Sequence, residues 1–257
     1  MMKTYRLLFL AVGLIIIAFA CSEQSEIDRA NIQFRLTDMP GEYQEVNIDV
    51  VAVNVIVNDS LFELTTNQGN YNLLEFVNGK DTLLVDDEIP GGFISQVRLV
   101  LGENNTIKIK NMVHDLKTPS AQQSGLKLNI HNELLPGESY TYVIDFVVEK
   151  SIVETGNGGY ILKPVIRVFT EVITGSVEGV INPVEANPLI MAIGTEDTTS
   201  TFADADSGYF VIRGLFEGDY SLEIQPVEGF KDTVLSNISI VPGQTIVIDT
   251  VFIQQQP

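Results

Sequence analysis

Tryptophan is absent from the 257 residues, histidine occurs twice and cysteine once. A single cysteine excludes any intramolecular disulfide. With no cysteine in the body of the protein, a zinc site, which commonly takes three or four ligands from Cys, His and carboxylates, is not expected. His114 and His131 are all that the chain offers to a Ser-His-Asp triad, and no G-x-S-x-G accompanies them. Lysine and arginine number 15 against 34 acids, a formal charge of −19. That imbalance excludes nucleic acid, which is held by neutralising phosphates. It equally disfavours adsorption to anionic lipid headgroups and favours solubility at a crowded surface. Without tryptophan the chain lacks the broadest ring for stacking on a sugar, although eight tyrosines remain. Nothing in the composition asks for a cofactor.

What is present begins with a leader. Lys3 and Arg6 form a positive n-region, and Leu7 to Phe19 is an apolar run. The run is shorter than the about 20 residues that a membrane-spanning helix needs, so residues 1–20 read as a signal peptide. Its end, Ala18-Phe19-Ala20-Cys21, resembles the lipobox of Gram-negative lipoproteins, with Phe19 bulkier than the usual occupant. The resemblance implies that Cys21 becomes the mature N-terminus and carries the lipid. The alternative is a secretory signal cut elsewhere, leaving a free thiol. Acyl chains, worth about 0.8 kcal/mol per buried CH₂, would hold the protein without a spanning helix. Residues 21–30 form an acidic tether, Ser22-Glu23-Gln24-Ser25-Glu26. It is similar to the surface-export signal of some such lipoproteins and reads equally as a solvated spacer. The implied address is the outer membrane, lipid-anchored, at the cell-surface or the periplasmic face.

Period-two alternation dominates the rest, the mark of strands with one buried face. Ile32, Phe34 and Leu36 form a first strand, and Thr37 to Gly41 reads as a turn. Val46 to Val57 changes phase, apolar at Val46, Ile48 and Val50 and then at Val51, Val53 and Val55, which predicts a bulge or a strand buried on both faces. Phe62 and Leu64 begin a short strand, and Asn72 to Val77 reads as one helical turn. Further strands are expected at Phe93 to Leu101, at Ile107 and Ile109, and at Leu126 to Ile130. Tyr140 to Phe169 is the organising stretch. Tyr160 to Phe169 is predicted to pair antiparallel with Tyr140 to Lys150 inside a sheet, joined by the glycine-rich loop Glu154 to Gly159. Phe146 should face the core. Pro164, which has no N–H to give a ladder, should sit at a bulge or face away from its partner.

Four motifs, LTDMPGEYQEVNIDVVAVNV (Leu36 to Val55), IPGGFISQVRLVL (Ile89 to Leu101), PSAQQSGLKLN (Pro119 to Asn129) and EKSIVETGNGGYILKPVIRV (Glu149 to Val168), together resemble the lipoprotein family called domain of unknown function 4382, over about residues 30–170. The resemblance implies an all-β envelope domain and no reaction. Past Thr174-Gly175 the pattern changes to glycine-anchored turns. Asp204, Gly208, Phe210, Gly218, Tyr220 and Leu222 carry a resemblance to the carboxypeptidase regulatory-like domain, a transthyretin-like sandwich grouped with carbohydrate-binding-like folds. It implies an accessory module and no peptidase activity. The expected architecture is all-β: two β-sandwich domains in tandem, 31–173 and 174–257, after a lipoprotein signal peptide.

Candidate chemistry is sparse. Asp204, Asp206 and Gly208 match the start of a calcium loop, yet position 12 is Leu215 where an EF-hand needs a bidentate Glu. The plain reading is a turn with Asp capping backbone N–H groups. Asp86-Asp87-Glu88 could supply a carboxylate acid and base, as in glycosidases, or be a solvated loop. Arg98, Lys127, Lys163 and Arg167 could form a basic ligand patch, or pair across strands with Asp145 and Glu149. The reading that results is a non-catalytic envelope lipoprotein, a binding or structural module whose partner would be a glycan or another envelope protein. The alternatives are a carboxylate-based glycan hydrolase and a calcium-dependent adhesin subunit.

Overall fold

The computed structural model describes residues 28–39, 43–118, 125–195 and 197–256. Cys21 with the whole leader, the Pro40-Gly41 turn and residues 119–124 lie outside them. Before Thr174 the strands are β1 (Arg29–Met39), β2 (Glu45–Val57), β3 (Ser60–Glu63), β4 (Gly69–Asn72), β5 (Thr82–Pro90), β6 (Gly92–Leu101) and β7 (Thr106–Ile109). They continue as β8 (Met112–Lys117), β9 (Leu126–Leu134), β10 (Ser139–Val147), β11 (Ile152–Glu154), β12 (Tyr160–Leu162) and β13 (Ile166–Thr170). After it come β14 (Gly175–Asn182), β15 (Leu189–Ile193), β16 (Thr198–Phe202), β17 (Tyr209–Leu215), β18 (Gly218–Gln225), β19 (Thr233–Ile240), β20 (Thr245–Val247) and β21 (Val251–Phe252). The protein is all-β and built as packed sheets.

A four-stranded sheet in the order β13-β10-β1-β5 and a nine-stranded sheet along β11-β12-β8-β7-β2-β6-β9 enclose the first core. Ile32, Phe34 and Leu36 alternate into it from β1, with Ile48, Val53, Leu99 and Phe146. Phe34 stacks on Tyr142 with ring centroids 5.4 Å apart. In β2 the phase change is a bulge: Val46, Ile48 and Val50 are buried, Val51 is exposed, and Val53, Val55 and Val57 resume the buried row. The ladder to β6 slips between Val50 and Ala52 to absorb the extra residue. The predicted helical turn is a 3-10 turn at Leu73–Glu75. Asp86, Asp87 and Glu88, read from sequence as a loop, lie within β5 opposite Gln33, Ile32 and Asn31. The turn read at Thr37 to Gly41 likewise gives way at its start, since β1 runs on to Met39.

The organising stretch is divided differently from its expectation. Phe146 is fully buried, and β13 does pair antiparallel with β10, from Tyr142 opposite Thr170 to Phe146 opposite Ile166. But β13 is the sheet edge, and β10 is interior because it also runs parallel to β1. Tyr160 to Leu162 belongs to the other sheet, paired with β11 and β8. The segment therefore crosses between sheets at Lys163-Pro164-Val165, where proline removes one ladder donor. A helical turn, Val148–Ser151, ends β10 in the same way. Ser151 ties the crossing down: its hydroxyl accepts from the Val165 N–H (2.9 Å), and its carbonyl accepts from the Lys163 N–H (2.7 Å).

A second, separate core lies between the sheet β17-β14-β20 and the sheet β16-β15-β18-β19. It holds Val177, Ile181, Ile190, Phe210, Ile212, Leu222 and Ile224. Both β20 and β21 run parallel to β14. Gly208 opens β17 with φ +70°, and a Cβ there would lie 2.2 Å from the Ile181 carbonyl oxygen. Only glycine permits that approach together with positive φ. Among the described residues no helix is long and apolar enough to cross a membrane.

Candidate functional site at the junction of the sandwiches

The loop from Phe76 to Asp81 joins the two halves. Asn78 and Gly79 both have positive φ, +55° and +79°, the conformation an Asn-Gly pair tolerates best. The loop is pinned to β1: the Asp38 N–H donates to the Phe76 carbonyl (3.0 Å). The Thr37 hydroxyl lies 2.8 Å from the carbonyl oxygens of both Phe76 and Lys80. So held, the Asn78 side chain meets β17 as a neighbouring strand would. Its amide N–H donates to the Tyr209 carbonyl (2.9 Å), and its amide oxygen accepts from the Val211 N–H (2.8 Å). A strand edge that would otherwise be open is thereby covered.

Two residues further along β17, Arg213 donates to the Gly79 carbonyl (3.0 Å) and to Asp81 Oδ2 (2.9 Å), and also contacts Glu171. Asp81 takes Arg35 of β1 on its other oxygen. One nearly buried carboxylate thus bridges an arginine from each half. Burial alone would push Arg213 down, but Asp81 and Glu171 outweigh it and hold the guanidinium charged. Beneath them Asp145 pairs with Arg167 across β10 and β13. Burial pushes the Asp145 carboxyl up, opposed by Arg167 and Arg213. Beside it is a cavity of only about 30 Å³ bounded by Asp38, Thr201 and Arg213, room for about one water. Phe169 completes the contact: Gly214, at φ +71°, packs on its ring so closely that a Cβ would lie 2.6 Å away.

Above this joint opens a cleft of about 390 Å³, walled by both halves. Lys80, Glu171, Ser176, Tyr209, Gln244 and Thr245 line it. The Tyr209 hydroxyl donates to Glu178 (2.8 Å), and the Ser176 and Thr245 hydroxyls lie 2.8 Å apart. Burial, together with Glu178, pushes the Tyr209 phenol up to about 12.

The residues singled out from sequence are not gathered here. Asp204 Oδ1 accepts from the N–H of Asp206 (3.2 Å) and from the N–H and hydroxyl of Ser207 (2.9 and 2.7 Å), so Asp204 caps its own turn. Among the described residues no group of three or more His, Cys, Asp or Glu side chains is placed to hold a metal. His114 is on β8, edge-on to Tyr160 at 5.0 Å, while His131 on β9 lies 6.0 Å from Phe93. In the acidic run, burial raises the Asp87 carboxyl, yet the Thr65 and Glu88 backbone N–H groups and Arg29 bring it below its ordinary value. Asp86 accepts from the Asn31 amide (3.2 Å), and Glu88 pairs with Arg29 (3.8 Å). Of the four cations, Arg167 pairs with Asp145 as the cross-strand reading expected. Arg98 and Lys127 sit opposite one another on β6 and β9, and Lys163 lies at the sheet crossing. Glu149 is on the helical turn, not on a strand. No four-residue patch forms. Asn78, Asp81, Glu171 and Arg213 escaped the sequence reading. Two signals pointed to them: the Asn-Gly pair, and an arginine set between buried Ile212 and Leu215 in a segment whose other base is Lys231.

No curated protein matches the chain. Solved structures resemble it distantly. The Bacillus anthracis TIE protein is 12% identical with a TM-score of 0.24, covering 87% of this chain, which spans only 34% of that one. GBS52, the minor pilin of Streptococcus agalactiae, is 12% identical with a TM-score of 0.26, covering 88% of this chain and 96% of its own. The fimbrial anchor protein Mfa2 from Porphyromonas gingivalis is 11% identical with a TM-score of 0.21, covering 76% and 77%. Scores this low carry no functional argument. The sequence evidence is firmer, for the family model described as Domain of unknown function (DUF4382) matches residues 29–164, more than half of the chain, and the chain belongs to that family.

Proposed function

We propose that the protein is a non-catalytic module of the cell envelope, anchored through lipid on Cys21, which binds glycans at the surface of the cell. The observation that carries the non-catalytic reading is the state of the ionisable groups at the junction. Arg213, Asp81 and Glu171 are joined in ion pairs, and the desolvated Asp145 abuts a cavity too small for a substrate. An acid and a base for hydrolysis need to flank a bound sugar. On this reading 31–173 and 174–257 are two folding units, supported by two separate cores. The second is a carboxypeptidase regulatory-like domain.

Two experiments test the proposal. The full chain is screened against neutral trisaccharides (maltotriose, cellotriose, chitotriose and xylotriose), with calcium and with chelator. Binding without shortened products is expected in both conditions. Hydrolysis would replace the module by an enzyme, and loss with chelator would replace it by a calcium-dependent adhesin. For the anchor, Cys21→Ser should move the protein from washed membranes into the soluble fraction, and a variant that stays with the membranes rules out lipid attachment at Cys21.

A further inference from the structure

We infer that the 390 Å³ cleft above the joint is the ligand site, and that it selects an uncharged polyhydroxylated ligand of one or two sugar rings. This rests on the glycan reading above and adds to it the place and the selectivity. Size is the first argument: the cleft falls at the small end of the about 300–1,000 Å³ typical of small-molecule sites, which favour the boundaries between packed units.

Charge is the second. Lys80, Arg213 and Glu171 are the charged residues of the lining, and Asp81 pairs with Arg213 from outside it. Arg213 is already shared between the two carboxylates and has no strong pull left for an anion. Neither carboxylate is spare for a cation. The net charge of −19 repels anionic ligands in addition.

The lining supplies the third argument. Ser176 and Thr245 present hydroxyls, Gln244 an amide and Lys80 an ammonium, a mixture of donors and acceptors at short range. Such a set matches a ring of hydroxyls, each of which donates and accepts. Tyr209 adds a flat apolar surface. It is tethered at both ends, by Asn78 at its carbonyl and by Glu178 at its hydroxyl. A ring fixed in advance loses little side-chain freedom when a ligand arrives.

The test repeats the trisaccharide panel with two variants of the full chain. Thr245→Trp places a large ring at an exposed lining position on the short strand β20, and Tyr209→Ala removes the aromatic surface. Each should weaken binding by about tenfold or more, with the melting temperature of Thr245→Trp unchanged. If Tyr209→Ala fails to fold, Thr245→Trp decides alone. Undiminished binding by Thr245→Trp overturns the cleft and leaves the glycan reading standing. No binding of any trisaccharide by the wild type overturns both. A wild type that binds trigalacturonate in preference to the neutral sugars overturns the selectivity.

Discussion

Replacing Phe146 by alanine should destabilise the protein by about 3–5 kcal/mol, the usual loss when a large aromatic side chain leaves a cavity in a packed core. Phe146 is fully buried on a strand paired on both sides, to β1 and to β13. Neighbours from two ladders fix the backbone around it, so the void has little freedom to close. Urea melts measure the effect as a fall in midpoint at unchanged slope. A loss under about 1 kcal/mol would mean that the side chain is not in the core and that β10 is one residue out of register.

The second large effect is expected at an exposed-looking loop rather than in a core. Asn78→Ala removes the donor to the Tyr209 carbonyl and the acceptor for the Val211 N–H together. Each backbone group left without a partner costs about 1–3 kcal/mol where water cannot replace it, so the pair should cost about 2–6 kcal/mol. The loss should fall on the unit that contains β17. Hydrogen exchange at Val211 and its neighbours should accelerate, while amides in β1 and β10 keep their protection. Unchanged exchange along β17 would show that water covers this edge as well as Asn78 does.

Much of the fold was legible because its strands each bury one face. Ile32, Phe34 and Leu36 could be assigned to a core from alternation alone, and the bulge in β2 could be read from the phase change at Val51. Gly208 marked the turn that leads into β17. The errors share a physical origin. β10 is buried on both sides from Tyr142 to Val147, one face on the first core and the other, with Asp145, under the second sandwich, so alternation could not report where it ended. Continuity of apolar residues hid the passage of Tyr160 to Phe169 from one sheet to the other. Period two says which residues share a face, but not which partner strand they join. The acids of β5 were misread for a related reason: Asp86 to Glu88 are in a strand because β1 is beside them, a long-range fact without local signature. The joint was the least visible, being made of Asn78, Asp81 and Arg213, each ordinary for its position until the two halves are brought together.

The parallel placement of β20 and β21 beside β14 has a mechanical meaning. β14 enters the second unit and β21 is its last strand, so tension between the two ends would draw these strands in opposite directions along their length. The bonds from Ser176 opposite Thr245 to Asn182 opposite Phe252 would then be loaded together, in shear. An antiparallel hairpin pulled from its two free ends opens one bond at a time; this ladder has no such end from which to unzip.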